Sequence, residues 1–293
     1  MSHHARSTDE EIILVAINAL IGMDAEKAIP MLEKMLRDDQ SMEIRKQALF
    51  VLTQSHDPKA IQILIDMATK DASQEMRELA VFWIGQRSDD QGFDTLVDLY
   101  KGADSRMKEK IIFSFSQMRN PKAAAKLIEL DRSEPDAELR NRACFWMSQR
   151  HDETTQAALL DMYDSEKDLK IKESMLMGFA QSGNPKARAK ILEIAQSDPD
   201  PEVRSRAIFW LGLSVGDDMI PKLLEIYKKS NETDIKKQVI FAISQAHGEN
   251  GVTALINLAR TEQDMELKKQ IVFWLGQSHS EAAIEYLQEI LQK

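Results

Sequence analysis

The side chains with the most chemical reach in this sequence are six histidines, one cysteine and forty-eight carboxylates. Four of the histidines, His56, His151, His247 and His279, recur near multiples of one interval, about 32 residues, and each could offer an imidazole nitrogen to a metal. Only His247 and His279 stand one interval apart, with Glu249 and Glu281 beside them. A metal centre wants three or four converging ligands and a second shell to orient them, so this set falls short. The same spacing fits a turn, where an imidazole meets the carbonyls that end a helix. Cys144 lies within "ACFWMSQ" on an apolar helical stripe, where a thiol packs as a small hydrophobe. A lone cysteine also excludes an internal disulfide. No Ser-His-Asp order, glycine-rich phosphate loop or Cys-x-x-Cys occurs. The expectation is a protein with no catalytic residues, no metal and no cofactor.

A second pattern suits recognition better. "AVFWIGQ" (80–86) returns as "ACFWMSQ" (143–149), "AIFWLGL" (207–213) and "IVFWLGQ" (271–277). Stepping from Gln86 by the same interval, once shortened by a single position, reaches Gly22, Gln54, Gln117, Gln149, Gln181, Leu213, Gln245 and Gln277. Four positions before these anchors stand Phe50, Phe82, Phe113, Phe145, Met177, Phe209, Phe241 and Phe273, which is seven of the ten phenylalanines. Three before them, Val51, Trp83, Ser114, Trp146, Gly178, Trp210, Ala242 and Trp274 alternate large and small. The true period is therefore about 64 residues, with large side chains filling the space beside small ones. Tyr100, Tyr163 and Tyr227 follow Trp83, Trp146 and Trp210 at one fixed spacing and are expected to pack with them.

The elements that position these columns are short helices. Asp57, Asp89, Asn120, Asp152, Asn184, Gly216, Gly248 and Ser280, three after each anchor, are N-cap types that open a helix A, with Pro58, Pro121 and Pro185 at its first position. Ser41, Ser73, Asp104, Asp136, Asp168, Asp200, Glu232 and Asp264, thirteen before each anchor, open a helix B that ends at the anchor. A lone helix B (about 9–22), eight A–B pairs and a lone helix A (about 281–291) account for the chain. A single hairpin cannot bury its own apolar face, so the pairs must stack. The fold class is all-α, a right-handed α-solenoid of about eight helix pairs, each of about 32 residues, grouped into double repeats of about 64 residues and flanked by a lone helix at each end. Residues 1–8 read as a disordered terminus and 9–293 as one domain, with units ending near 22, 54, 86, 117, 149, 181, 213, 245 and 277. "PEVRSRAIFWLG" (201–212) and "MELKKQIVFWLGQ" (265–277) resemble helix B of the HEAT-like repeats of the phycobilisome-lyase type, over nearly the whole chain. That resemblance implies the fold. It leaves open lyases, scaffolds and adaptors. The paired His-Glu dipeptides of the HEAT-like deoxyhypusine hydroxylases are absent.

Helical projection at 100° per residue sorts helix B into faces. Positions ten, six, five, two and one before the anchor form the core arc. Nine before the anchor, also inward, is always basic: Arg45, Arg77, Lys108, Arg140, Lys172, Arg204, Lys236 and Lys268. A buried cation needs a partner, and the acidic A–B turns supply one, for example Asp198 or Asp200 for Arg204. The Phe column falls on the opposite arc, beside the anchors Gln54, Gln86, Gln117, Gln149, Gln181, Gln245 and Gln277. Arg142, Arg206 and Lys110 are placed for cation–π contact there. Helices B should line the concave side. Aromatic anchors in a hydrogen-bonding surround are what interfaces use, so the expected function is a non-catalytic scaffold or adaptor that takes a peptide or protein through the Phe/Gln column. The alternatives are an enzyme or enzyme subunit of the HEAT-like lyase type using the turn histidines, and nucleic-acid binding in the groove.

A net charge of −10 and a pI near 5.2 oppose a nucleic-acid partner, and glutamates interrupt Lys46, Lys110, Arg142, Arg206, Lys237 and Lys269. The longest apolar run, Ile12–Ile17, is too short to span a bilayer, and its acidic flank "STDEE" is wrong for a signal peptide. The cytoplasm is the default compartment, with export left open should upstream sequence be missing. In the first helix Ile13 replaces the basic residue, and Leu14 and Val15 fall on the wet arc, which suggests docking of another chain or missing upstream repeats. "SEAAIEYLQEILQK" reads as a polar C-terminal cap.

Overall fold

Side-chain caps cut the chain into helices at the expected interval. Asp57 accepts from the Lys59 N–H at 2.8 Å, Asp89 from Gly92 at 2.6 Å, Asn120 from Lys122 at 3.0 Å, Asp152 from Thr155 at 3.0 Å and Asn184 from Lys186 at 2.8 Å. Each satisfies an amide that a helix start leaves unpaired. Ser41, Ser73, Asp104, Asp136, Asp168, Asp200 and Asp264 do the same for the second set. Glu232 precedes its helix without a side-chain cap bond, and Ser280 instead gives its hydroxyl to Glu249 at 2.7 Å.

The computed structural model describes residues 8–37, 40–150, 152–214, 217–246 and 248–292, and no strand occurs among them. The chain divides into two compact units, Met1–Trp146 and Met147–Lys293. Along the first run α1 (Thr8–Ala19), α2 (Ala25–Met35), α3 (Met42–Thr53), α4 (Pro58–Lys70), α5 (Gln74–Gln86), α6 (Asp90–Gly102), α7 (Ser105–Gln117), α8 (Pro121–Ser133) and α9 (Ala137–Ser148), the last running into the second unit. The second continues with α10 (Glu153–Met162), α11 (Leu169–Gln181), α12 (Pro185–Ser197), α13 (Pro201–Ser214), α14 (Ile220–Lys229), α15 (Thr233–Ser244), α16 (Glu249–Thr261), α17 (Met265–Gln277) and α18 (Glu281–Leu291). Odd-numbered helices are the helices B, even-numbered ones the helices A. Within the first unit α1, α3, α5 and α7 pack side by side, as α11, α13, α15 and α17 do within the second. This is an all-α, solenoid-like stack. Its core is aliphatic, with Leu49, Leu52, Leu64, Ile84 and Leu96 fully buried in the first unit and Ile191, Leu211, Ile243 and Leu255 in the second. Each such side chain contributes about 1.5–3 kcal/mol by leaving water.

Several expectations need correction. Thr8 is already helical, and α1 stops at Ala19; Leu20–Gly22 form a turn, with Gly22 at a φ of 84°. The remaining residues of the expected disordered terminus, 1–7, lie outside the described residues. So does Gly216; α14 starts only at Ile220, after a short 3-10 turn over Asp217–Met219, with Pro221 in its first turn. The C-terminal helix spans the expected residues but is not polar outside: Ile284, Ile290 and Leu291 are exposed.

The basic column obeys the double-repeat period in a way that spacing did not reveal. Arg45, Lys108 and Lys172 reach forward to Asp71, Glu134 and Asp198 in the next A–B turn. Arg77, Arg140 and Arg204 instead donate to carbonyls of those same turns, at Asp71 (2.6 Å), Glu134 (3.0 Å) and Asp198 (2.6 Å). Arg204 therefore caps the Asp198 and Pro199 carbonyls and pairs with Glu232 at 2.6 Å, rather than with the Asp198 or Asp200 carboxylate. The A–B turns at Asp71, Glu134 and Asp198 are thus pinned from both sides. The tyrosines belong to these hubs and not to the tryptophans. Tyr100 donates to Glu134 at 2.7 Å and Tyr227 to Glu262, while Lys108, Lys172 and Lys236 sit 4.8, 5.1 and 5.2 Å above the rings of Tyr100, Tyr163 and Tyr227. Burial first, and the carboxylate partner second, push the Tyr100 and Tyr227 hydroxyls well above the usual phenol range.

Candidate functional site on the helix B face

One helical step separates Phe at four before the anchor from Trp at three before it, so the two rings project side by side. Trp83 lies between Phe50 of the preceding helix B (5.3 Å between ring centres) and its own neighbour Phe82 (5.1 Å). Trp146 lies between Phe113 (4.9 Å) and Phe145 (5.0 Å) in the same manner. In the second unit Trp210 meets Phe209 at 5.4 Å, Phe209 stacks on Phe241 with 5° between planes, and Trp274 bridges Phe241 (5.4 Å) and Phe273 (5.1 Å). The tilted and edge-on arrangements suit the ring quadrupole. Each unit carries an aromatic ladder, in which Trp83, Trp146 and Trp274 are rungs between two phenylalanines.

The alternation of Trp with small residues has a different cause from the one expected. A Cβ on Gly85 would lie 2.7 Å from the Ser114 Cβ, one on Gly212 would lie 2.6 Å from the Ala242 Cα, and one on Gly178 would lie 2.5 Å from the Ser148 Cβ. Alternate neighbours of the B row therefore approach backbone to backbone, and no large side chain fits at positions 114, 178 or 242. Trp occupies the other alternate positions, where it packs against the phenylalanines.

This covering sets the exposure of the column. Phe50, Phe82, Phe113, Phe145, Phe209 and Phe241 are half-buried, and Phe273 is 56% exposed. The anchors Gln54, Gln86, Gln117, Gln149, Gln181 and Gln277 are exposed, and Gln245 is half-buried. Their amides are tethered where a hydroxyl precedes them. Gln54, Gln117 and Gln245 donate to Thr53 (3.2 Å), Ser116 (3.0 Å) and Ser244 (3.1 Å), whose own hydroxyls donate to the carbonyls of Phe50, Phe113 and Phe241. Gln149 donates to Ser148 at 3.4 Å and to Gln181 at 3.2 Å. Gly85 and Gly276 give Gln86 and Gln277 no such tether.

Ion pairs run beside the ladder. Lys46 pairs with Glu75, Lys110 with Glu78 at 3.3 Å and Arg142 with Glu109 at 3.7 Å; in the second unit Arg206 pairs with Glu173 and with Glu202 at 2.9 Å, and Lys237 with Glu266. Arg142, Arg206 and Lys110 therefore engage carboxylates of their own or the preceding helix B rather than a Phe face. The cations seen over rings belong instead to the tyrosine hubs and to Arg260 over Tyr286. Burial alone would raise the Glu78 carboxyl, but Arg106 and Lys110 together hold it below the usual carboxylate range.

Between α5 and α7 the ladder opens into a cleft of about 370 Å³. Phe82, Phe113, Leu79 and Ser114 line it, and Lys46, Glu75, Glu78 and Lys110 rim it. Leu79 was missed by the sequence reading, although it stands seven before the anchor where the neighbouring helices B carry Gln47 and Lys110. His56 and His279 are exposed turn residues, His151 and His247 lie outside the described residues, and no group of three His, Cys, Asp or Glu placed to hold a metal occurs among those described. Cys144 is fully buried, as its stripe implied.

Stacked two-helix pairs with a capped, regular period define the class of α-helical repeat proteins. The chain belongs to the HEAT repeat family, whose model matches residues 2–81, 64–145, 130–212 and 156–244. No curated protein matches it. Among solved structures it is similar to the Escherichia coli protein YibA, with 17% identity, a TM-score of 0.44 and coverage of 94% of this chain and 99% of that one. It is also similar to human deoxyhypusine hydroxylase in complex with glycerol (15% identity, TM-score 0.37, coverage 92% and 98%) and to the complex of CpcE and CpcF of phycocyanin lyase from Nostoc sp. (12%, 0.35, 84% and 93%).

Proposed function

We propose that the protein is a non-catalytic scaffold or adaptor that holds a peptide or protein segment on its helix B face, through the Phe column and the Gln anchors. The observation that carries this reading is the cleft between α5 and α7, where the Phe82 and Phe113 rings remain half-open to solvent in an apolar wall with a charged rim. Half-covered aromatic side chains are fixed in orientation, so a ligand side chain entering the cleft buries apolar area with little loss of ring entropy. A tethered Gln amide keeps an oxygen with which to accept from a ligand backbone N–H. The pairing of Lys46, Lys110, Arg142, Arg206 and Lys237 with carboxylates leaves little net charge to attract a polyanion, which favours a polypeptide over a nucleic acid. No helix among the described residues is long and apolar enough to cross a membrane.

A peptide library displayed on phage and selected on the intact protein tests the proposal. Selected peptides should bind the wild type and lose at least tenfold in affinity to Phe82→Asp with Phe113→Asp, while far-ultraviolet circular dichroism stays unchanged. Peptides that bind the double variant as tightly as the wild type would refute recognition by this face. Stoichiometric metal, or turnover, in the purified protein would refute the non-catalytic assignment.

A further inference from the structure

Three tryptophans of the ladder show what fits between two phenylalanines. Trp83, Trp146 and Trp274 each hold one Phe ring of the preceding helix B and one of their own helix at 4.9–5.4 Å. Between α5 and α7 the chain presents another such pair of rings, Phe82 and Phe113, but the position that supplies Trp elsewhere is Ser114. Trp83 backs the first ring and Trp146 the second. Both rings are half-buried, and both line the cleft of about 370 Å³. The second unit shows another outcome. Between α13 and α15 the small residue is Ala242, and there Phe209 and Phe241 lie on each other, 5.7 Å apart with 5° between planes. The residue seven before the anchor separates the two cases. On α13 it is Arg206, tied to Glu173 and Glu202. On α5 it is Leu79, where the other A–B pairs carry Gln, Ser, Lys or Arg, and it adds an apolar wall to the cleft.

We propose that the α5–α7 cleft seats a tryptophan side chain of the bound polypeptide, with its indole between Phe82 and Phe113 as Trp83 stands between Phe50 and Phe82. This rests on the reading of the helix B face as a recognition surface, and it names the residue that this face selects. Three features select an indole. The paired rings offer tilted and edge-on contacts that an aromatic side chain gains beyond its buried area and an aliphatic one does not. Ser114 is 2% exposed where it lines the cleft, and its hydroxyl donates to the Val81 carbonyl at 3.3 Å. The Ser114 oxygen therefore keeps lone pairs for an N–H donor, which indole has and a phenyl ring lacks. The rim is neutral, because Lys46 pairs with Glu75 and Lys110 with Glu78. A charged side chain would break one of these pairs or enter an apolar cleft unpaired, whereas an uncharged ring leaves both intact.

Titration of N-acetyl-tryptophanamide into the intact protein, followed on the Leu79 methyl signals by nuclear magnetic resonance, tests this. The signals should shift saturably, and half-saturation with N-acetyl-leucinamide should need about tenfold more ligand. The 1-methyl derivative of the tryptophan amide has no indole N–H and should bind about two- to tenfold more weakly, the worth of one hydrogen bond. Ser114→Ala should bind the two tryptophan amides alike, and its fold is safe because alanine holds the equivalent position 242. Equal half-saturation by the tryptophan and leucine amides, or no shift at Leu79 with either, overturns the proposal. A preference for the N–H that persists in Ser114→Ala overturns the part given to Ser114. The phage-selected peptides judge the recognition surface separately. Peptides that need Phe82 and Phe113 yet carry no tryptophan would overturn the indole alone, and peptides indifferent to both rings would overturn the surface and the indole together.

Discussion

At the scale of single residues, the tyrosine hubs show how one methylene decides whether a buried group is satisfied. Tyr100 and Tyr227 each donate to a glutamate in the following A–B turn, Glu134 and Glu262. The equivalent residue for Tyr163 is Asp198. Tyr163 is 1% exposed, and its hydroxyl has no protein partner. Asp198 instead lies 3.9 Å from Lys172, and its charge adds to burial in pushing the Tyr163 hydroxyl up. Asp198→Glu should restore the bond made in the other two hubs. A net intramolecular hydrogen bond is worth about 0.5–1.5 kcal/mol, and more when the acceptor is charged. The expected outcome is a higher urea midpoint with an unchanged slope. Tyr163→Phe in the same background should then cancel the gain, whereas in the wild type it should cost little. If Asp198→Glu leaves the midpoint unmoved or lowers it, the hub geometry inferred for Tyr163 is wrong.

At the scale of elements, the repeated Phe-Trp-aliphatic-Gly string places the same residue in opposite circumstances. Gly212 of α13 faces the Ala242 backbone, where an added Cβ would come within 2.6 Å, while Gly276 of α17 has nothing within 4 Å of its added Cβ. Gly212→Ala must push α13 and α15 apart, and overpacking of this kind costs about 1–3 kcal/mol. Gly276→Ala meets no neighbour and removes a helix-interior glycine, so it should stabilise by about 0.5–1 kcal/mol. Thermal unfolding of the two variants should therefore shift in opposite directions, and a shared sign would contradict the close α13–α15 approach. The helices themselves were legible because caps and anchors recur in sequence, where a local hydrogen bond is formed between near neighbours along the chain. What covers the Phe column was not legible. Projection of one helix puts Phe82 and Phe113 on the wet arc, but their cover comes from Trp83 and Trp146, and for Phe50 and Phe113 the Trp belongs to the next helix B. Likewise Lys110 and Arg142 looked free beside the rings because Glu78 and Glu109 reside on the preceding helix B. A period seen in one dimension gives the column but not its cross-helix partners.

At the scale of the whole molecule, those cross-helix carboxylates make stability depend on pH in one direction. Burial by itself would raise the carboxyls of Glu78, Glu134, Asp152 and Glu262. In each case the bonds outweigh it: Arg106 and Lys110 at Glu78, Tyr100, the Asp136 N–H and Lys108 at Glu134, the Thr155 N–H and Arg150 at Asp152, and Tyr227 with the Asp264 and Gln263 amides at Glu262. All four are held below their ordinary values. A group depressed in the folded state binds its proton more readily when unfolded, so stability rises with pH across that interval. Its contribution is complete above the unfolded value, about 4.3 for glutamate, and is lost as pH falls from there through the lower folded values. Glu78 and Glu134 lie in the first unit, Asp152 and Glu262 in the second, so each unit should lose stability in acid. The expected profile of urea midpoints is flat from pH 7 to about 5 and then falls steeply below about 4.3. Glu134→Gln isolates one contributor. The amide can still accept from Tyr100 but carries no charge for Lys108, so at pH 7 the variant should be less stable by about 1.5–3 kcal/mol, the worth of a charge-assisted bond. Below the folded value of Glu134 the wild-type carboxyl is itself neutral, and the two midpoints should converge. A gap that stays constant down to acid would show that Glu134 acts through its shape and not its charge.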